Sequence, residues 1–187
     1  MAGGFSRFML KILGWKPAGE MAPDGRNIYL LAPHTSIWDF AIGFFYSRAQ
    51  GHPLKVMIKK EAFFFPVGLL LKAMGGFPID RSNSRSTLVS VIHAMESDKG
   101  RPIELAICPE GTRKAVKKWK TGYHTIARAA GAKVFISYID YGTKTVGVLP
   151  GGPIELTDDA RADTDRIQAI YASMNLRGMH RDGYTAG

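Results

Sequence analysis

The stretch of residues 27–39, NIYLLAPHTSIWD, decides the fold because a short polar turn joins a buried strand to a helix. Residues 27–32 are almost entirely apolar, which is typical of a strand that is covered on both faces of a sheet. Pro33 ends this strand, since proline cannot donate a ladder hydrogen bond. The apolar residues after the polar turn predict a helix over residues 38–47. The stretch therefore has the strand–turn–helix order of an α/β domain.

Strand and helix patterns alternate along most of the remaining chain. Further strands are predicted at residues 55–58, 77–80, 103–108, 134–139 and 145–149, and further helices at residues 61–74, 84–96, 121–130 and 163–175. This alternation predicts a single α/β domain with a mostly parallel central sheet flanked by helices. We expect the main domain over residues 27–176, after an amphipathic N-terminal segment over residues 1–26 and before a flexible tail over residues 177–187.

The amino-acid composition limits what kind of protein this chain can be and which partners it can bind. The chain has 187 residues, of which 45% are hydrophobic, and this is enough to bury a core. Lys and Arg number 25 against 16 Asp and Glu, so the net charge of +9 favours an anionic partner such as nucleic acid, anionic lipid or a phosphorylated substrate. The single cysteine, Cys108, excludes a disulfide within the chain. The apolar residues 62–71 are fewer than the roughly 20 that span a bilayer, so we expect the chain to lie on a membrane without crossing it.

The N-terminal segment contains an amphipathic pattern. Apolar side chains recur at helical spacing, with the cations Arg7 and Lys11 on other faces. The apolar set consists of Phe5, Phe8, Met9, Ile12 and Leu13. Two interpretations stay open at this point. The helix could pack on the core, or it could be an interfacial anchor whose cations lie near lipid headgroups.

The polar turn of the deciding stretch contains His34 and Asp39. An imidazole with a pKa near the working pH can serve as a general base, and a carboxylate on its other ring nitrogen fixes its tautomer. On a regular helix a separation of five residues corresponds to about 140°, so the two side chains would not share a face. They can meet only if His34 lies in the turn before the helix and Asp39 in its first turn, where Thr35 or Ser36 could cap the helix. The alternative is a capped turn with an exposed histidine.

Two further polar clusters follow predicted strands, where the ligand sites of parallel sheets gather. Residues 75–81, GGFPIDR, end in Arg81, whose guanidinium is suited to binding phosphate. The alternative interpretation is that Arg81 only forms an ion pair with Asp80 on the surface. Residues 109–113, PEGTR, form a glycine-bearing loop that could bind an oxyanion or a polar headgroup, or simply connect two elements. A cationic run follows and would suit a solvated face, anionic lipid or an acidic protein surface. It consists of Arg113, Lys114, Lys117, Lys118 and Lys120.

In this order and spacing, the three clusters resemble the motifs of the glycerolipid acyltransferase family, best known from 1-acylglycerol-3-phosphate acyltransferases. The family's first motif is a histidine, four residues and an aspartate, as in residues 34–39. Its second motif is similar to residues 75–81. Its third motif, usually Phe-Pro-Glu-Gly-Thr-Arg, is similar to residues 108–113, with a cysteine in place of phenylalanine. Residues 59–63, KKEAF, resemble a Lys-x-Glu-Leu-Phe segment of the family.

The resemblance implies an acyltransferase domain over residues 27–176, in which His34, oriented by Asp39, removes the proton from an acceptor hydroxyl. The alkoxide would attack the thioester of acyl-CoA or of acyl-carrier protein (acyl-ACP), with no covalent acyl-enzyme. The substrate-binding residues implied are two phosphate-holding cations and the third-motif loop: Lys59, Arg81, Glu110, Gly111, Thr112 and Arg113. No cofactor is implied beyond the acyl thioester. We expect no metal, since the remaining histidines have no ligand spacing.

The resemblance also implies a lysophospholipid acceptor such as 1-acylglycerol-3-phosphate, in phospholipid biosynthesis, and a peripheral or monotopic place on the cytoplasmic face of a membrane. A lyso-amino-acid lipid is the alternative acceptor, and a non-catalytic peripheral lipid-binding protein is an alternative class. We expect no nucleic-acid partner, because charge alone would support one and no nucleic-acid-binding motif accompanies the basic run. Residues 62–71 could enter the bilayer, line an acyl groove or belong to the core.

Overall fold

The computed structural model describes residues 2–23, 25–80, 82, 84–97 and 104–180. Its strands are β1 (Lys16–Ala18), β2 (Asn27–Ala32), β3 (Lys55–Lys59), β4 (Gly76–Ile79), β5 (Glu104–Ile107), β6 (Lys133–Asp140) and β7 (Thr145–Val148). Its α-helices are α1 (Ala2–Ile12), α2 (Trp38–Ala49), α3 (Val67–Ala73), α4 (Ser84–Ser97), α5 (Gly122–Ala130) and α6 (Ala160–Ser173), and a 3-10 turn covers Lys60–Ala62. The predicted α/β class is confirmed.

The described strands form one sheet in the order β1-β7-β6-β2-β5-β3-β4. The five strands from β6 to β4 in this order run parallel, whereas β7 is antiparallel to β6 and parallel to β1. Strand β2 lies between β5 and β6, and its Leu30 is paired with Ile107 on one side and Ile136 on the other. The predicted mostly parallel sheet is therefore confirmed, and five strands end at the same edge.

Alternation along β2 divides the core into two layers. Ile28 and Leu30 face helices α4, α5 and α6, whereas Tyr29 faces α1 and α2. None of these three side chains is more than 1% exposed. Because helices cover both faces, β2 can be apolar on both sides, and the apolar run that opens the deciding stretch follows from its central place in the sheet.

The N-terminal segment contains the predicted helix α1 and, in addition, the edge strand β1. The sequence pattern did not predict β1, because this three-residue strand is mostly exposed and has no apolar alternation. Two glycines let its backbone approach β7 closely. A Cβ on Gly19 would lie 2.1 Å from the carbonyl oxygen of Val148, and a Cβ on Gly147 would lie 2.2 Å from that of Ala18. These distances are too short for any side chain.

The apolar stretch over residues 61–74 forms a shorter helix than predicted. Helix α3 begins only at Val67, and the chain before it makes the 3-10 turn and a short connection. Pro66 explains the difference, because a proline disfavours helical conformation in the residue before it. The prediction of one helix, bent at this proline, is therefore wrong for the residues that precede it.

Tyr171 of α6 ties that helix to the centre of the sheet, and its loss should be measurable. The tyrosine is 1% exposed, and its hydroxyl lies 2.5 Å from the carbonyl oxygen of Leu30 and 2.8 Å from that of Ser137. Tyr171→Phe removes the donor from a buried site, so we expect the free energy of unfolding to fall by about 1–3 kcal/mol. Urea unfolding measures this. Tyr138→Phe, at a half-buried tyrosine of β6, is the control, and equal stability of the two variants would contradict the expectation.

Candidate active site

The polar turn after β2 and the loop after β5 meet at one edge of the sheet, because these two strands are parallel neighbours. The backbone N–H of His34 donates to Oε2 of Glu110 at 2.6 Å. Glu110 is 2% exposed. Its carboxylate therefore lies in the interior and holds the turn against the loop.

The side chains of His34 and Asp39 are in direct contact at this edge. Nδ1 of His34 lies 2.9 Å from Oδ2 of Asp39, and the aspartate has no exposed surface. The same oxygen accepts the backbone N–H groups of Thr35 and Ser36 at 2.8 and 2.9 Å. Because α2 begins at Trp38, the histidine lies before the helix and the aspartate in its first turn. This is the arrangement that the five-residue spacing requires, and we call the pair the dyad.

The hydroxyl groups of the turn are used differently from each other. The N-cap residue of α2 is Ile37 and has no side-chain capping bond, so the expected cap by Thr35 or Ser36 is wrong. Oγ of Ser36 accepts the backbone N–H of Trp38 at 3.2 Å. Oγ1 of Thr35 instead accepts the backbone N–H of Met179 at 2.8 Å. Residues 177–180, which the sequence assigns to the start of a flexible tail, thus contact the turn that contains the dyad.

Two further side chains contact the dyad, and sequence reasoning assigned neither to it. Tyr141 donates its hydroxyl to Oδ1 of Asp39 at 2.6 Å. It directly follows β6, the other neighbour of β2, so its place at a strand end was the signal that could have found it. Cys108 directly follows β5 and lies close enough to His34 to influence its pKa. The sequence suggested only a strand residue at this position.

These neighbours control the protonation of His34. Burial disfavours the charged ring, but Cys108 and Asp39 outweigh burial through their negative charge when ionised and through their hydrogen bonds, and they raise the pKa of His34 to about 10. Nδ1 is engaged by the aspartate, so Nε2 is the ring nitrogen that this contact does not use. The contact with Asp39 fixes the orientation of the ring, which is what a general base requires.

The other predicted binding residues that the structure describes lie along the same edge of the sheet. Lys59 ends β3, the neighbour of β5, and its exposed Nζ lies 3.8 Å from Oε2 of Glu61. Gly111 and Arg113 are exposed, and Thr112 is half-buried. Gly111 has a φ of +68°, the left-handed conformation that glycine adopts easily, and this turns the loop. The edge thus combines the dyad with a loop that is accessible to a ligand.

Arg81 lies outside the described residues. Its neighbour Asp80 pairs with Lys60, whose Nζ lies 2.5 Å from Oδ2 of the aspartate. Within the described ranges, no three His, Cys, Asp or Glu side chains come together in a way that could hold a metal ion.

Comparison with known proteins finds similarity in sequence to a family and in fold to a solved structure. A family model described as Acyltransferase matches residues 17–140, well over half of the chain. The fold is similar to the crystal structure of the 1-acyl-sn-glycerophosphate (LPA) acyltransferase PlsC from Thermotoga maritima. The TM-score is 0.61 at 15% sequence identity, over 96% of this chain and 80% of that chain, so this similarity concerns the fold. No curated protein matches the chain at a significant level.

Cys108→Ala should change the protonation of the dyad. The substitution removes one of the two groups that raise the pKa of His34 but leaves Asp39, so we expect this pKa to fall from about 10 toward, but not to, 6.5. NMR titration of the His34 ring signals measures the change. The exposed His93 of α4 provides an internal reference in the same spectra. A pKa that does not move would show that the cysteine has no influence on the ring.

Proposed function

Because this chain belongs to the acyltransferase family, we propose that it transfers a fatty acyl group from acyl-CoA or acyl-ACP to the hydroxyl of a lysophospholipid such as 1-acylglycerol-3-phosphate. The observation that carries the proposal is the 2.9 Å contact between Nδ1 of His34 and Oδ2 of Asp39. This contact lies at the edge of the sheet where two loops meet, and it supports a general base for an alcohol acceptor.

In the proposed reaction, the neutral ring of His34 takes the proton of the acceptor hydroxyl at Nε2 while the hydroxyl oxygen attacks the thioester carbonyl. Asp39 keeps the remaining ring proton on Nδ1 and stabilises the imidazolium that forms. The tetrahedral intermediate then expels the thiolate of CoA or ACP, which takes the proton from the imidazolium and leaves as the free thiol. Because only the neutral ring is a base, the raised pKa of His34 favours a rate that increases on the alkaline side of neutrality.

The binding residues are proposed to act in two groups. Lys59 and Arg81 would hold the phosphate of the acceptor, since both are cations that suit oxyanions. Gly111, Thr112 and Arg113 would contact its glycerol or headgroup from the loop after β5. The buried Glu110, whose carboxylate accepts the His34 N–H, would act through the position of the turn.

A membrane surface is the proposed partner of α1. Phe5, Phe8 and Ile12 are 61%, 57% and 62% exposed, whereas Leu10 of the same helix is buried. The helix therefore packs on the core with one face and presents an apolar face outward, so both interpretations of its pattern apply. Exposed apolar side chains on a helix that also contains cations support binding in the plane of a lipid surface.

A second apolar surface surrounds α3. Its exposed side chains are Phe64, Phe65, Leu69 and Leu70. They do not belong to the core, and we propose that they face lipid together with α1. No helix in the described part of the chain is long and apolar enough to cross a bilayer. The net charge of +9 favours anionic headgroups, and we propose peripheral or monotopic attachment to the cytoplasmic face of a membrane.

Replacing the three outward-facing residues should weaken membrane binding. For the variant Phe5→Ser, Phe8→Ser, Ile12→Ser we expect at least a tenfold loss of binding to vesicles that contain anionic phospholipid, because burial of each apolar side chain contributes about 1.5 kcal/mol or more. Sedimentation with vesicles measures the bound fraction. Val89→Ser is the control, since Val89 is 60% exposed on α4, which covers the face of the sheet opposite to α1. Equal binding of the triple variant and the control would contradict the proposed anchor.

His34→Ala and Asp39→Asn should abolish acyl transfer without unfolding the chain. General-base catalysis contributes about 10²–10⁴ in rate, so we expect His34→Ala to lose activity by at least a factor of about 100. The assay follows free thiol release from acyl-CoA and acyl-ACP with a panel of lyso-lipids, and product analysis identifies the ester. His93→Ala is the matched control, because this histidine is exposed on α4. Full activity of His34→Ala would end the proposal.

The same panel separates the alternatives. Transfer to a lyso-amino-acid lipid without transfer to 1-acylglycerol-3-phosphate would replace the proposed acceptor. Vesicle binding without thiol release from any donor would favour a non-catalytic lipid-binding protein.

A further inference from the structure

Tyr141 donates a hydrogen bond to Oδ1 of Asp39 at 2.6 Å. The reaction proposed above assigns no role to this bond. We propose that Tyr141 is a positioning residue, which fixes the carboxylate for His34 and is itself held by a C-terminal strap formed by residues 176–180. This positioning role rests on the proposed function, because it assumes that His34 and Asp39 are catalytic. The hydrogen-bonding arrangement that it describes can be tested without any substrate.

The carboxylate of Asp39 needs this bond because its other contacts lie on one oxygen. Oδ2 accepts the His34 ring and the backbone N–H groups of Thr35 and Ser36. Tyr141 supplies the donor at Oδ1, and a buried anion depends on such donors on both oxygens. The hydroxyl therefore sets the rotation of the carboxylate about its Cβ–Cγ bond, and with it the direction of the bond to the imidazole.

Tyr141 is suited to remain a donor at every working pH. Burial, together with the hydrogen bond to the anion of Asp39 and its charge, raises the pKa of Tyr141 far above its usual value of 10. The phenol thus keeps its proton where the ring of His34 titrates. Its own ring is fixed by Trp15, which packs edge to face at a centroid distance of 5.0 Å.

The C-terminal strap holds both sides of the site. The backbone N–H of Tyr141 donates to the carbonyl oxygen of Arg177 at 2.9 Å, and the N–H of Arg177 donates to Oδ1 of Asp140 at 2.9 Å. Two residues later, the N–H of Met179 donates to Oγ1 of Thr35 at 2.8 Å. The strap therefore connects the end of β6, which presents the phenol, with the turn that contains the dyad.

Gly178 makes this connection close. A Cβ at this position would lie 2.4 Å from Cγ2 and 2.8 Å from Oγ1 of Thr35. Any side chain here must displace the threonine or the strap. Leu176, at the start of the strap, is 6% exposed and belongs to the core, so the strap itself has a fixed anchor.

Tyr141 would act on catalysis through the negative charge of the Asp39 carboxylate, which influences the pKa of His34. The ionisable groups that face the His34 ring are Asp39 and Cys108, and the phenol faces the opposite oxygen of the aspartate. A donor at Oδ1 draws negative charge away from the oxygen that faces the ring. Without it, the aspartate would attract the imidazolium more strongly, and the pKa of His34 would rise.

Tyr141→Phe tests the proposal because it removes only the hydroxyl. We expect kcat to fall about tenfold, KM to change less than about twofold, and the acid limb of the pH–rate profile to move to higher pH. NMR titration of His34 should show a higher pKa than in the unsubstituted chain. Tyr46→Phe is the matched control, since that hydroxyl donates to the carbonyl oxygens of Ala18 and Gly19 instead.

The titration keeps this test separate from the proposed function. If no acyl transfer is found with any substrate but the pKa of His34 rises in Tyr141→Phe, the positioning role stands and the reaction is wrong. If kcat and the pKa of His34 both match the unsubstituted chain, the proposal is overturned. A change in thermal unfolding with unaltered kcat and pKa would also overturn it, because that result indicates a structural role only.

Gly178→Ala tests the strap independently of the phenol. The added methyl group must displace Thr35, so we expect a severalfold lower kcat. The core does not include Thr35, so we expect the midpoint of thermal unfolding to stay close to that of the unsubstituted chain. Gly43→Ala is the matched control, because a Cβ there would meet no atom within 4 Å. A kcat and a His34 pKa equal to those of the control would remove the strap from the proposal.

Discussion

The buried carboxylate of Asp39 is the constraint on which the candidate active-site edge depends. It has no exposed surface, so its charge can be tolerated only while hydrogen-bond donors surround it. Two of these donors are backbone N–H groups of the polar turn, one is the ring of His34 and one is the phenol of Tyr141. The same anion therefore shapes the turn, begins α2 in the correct register and orients the imidazole. Loss of one of these donors would therefore disturb the turn, the start of α2 and the orientation of the imidazole together.

Much of the fold could be predicted because its signals are local. The apolar run of β2 and the alternation of strands and helices indicated a parallel sheet. The five-residue offset from His34 to Asp39 permitted only one arrangement in which they meet. Strand β1 and the contacts of Tyr141 and Met179 could not be predicted in this way. They depend on the order of strands in the sheet and on pairs separated by more than 100 residues, for which no local pattern exists.

Ser137 illustrates how the sheet accommodates a polar side chain in a buried strand. Its side chain is 8% exposed in the central part of β6, and its hydroxyl donates to the carbonyl oxygen of Leu30 in β2 at 2.8 Å. A polar group in this core is stable because its hydrogen bond is made. Tyr171 reaches the same carbonyl oxygen, so two side chains and two strands converge there. The Ser137 side chain therefore connects β6 to β2, while the Tyr171 hydroxyl connects both strands to α6.

The link between Thr35 and Met179 spans 144 residues of chain. Ribosomal synthesis proceeds from the N-terminus, so the turn with the dyad is made long before the residues that brace it. A nascent chain can therefore build β2 and α2 early, yet it completes the arrangement around the histidine only after residue 180 has emerged from the exit tunnel. A chain interrupted between β7 and residue 179 would contain all the strands of the sheet but would lack the residue that braces this turn.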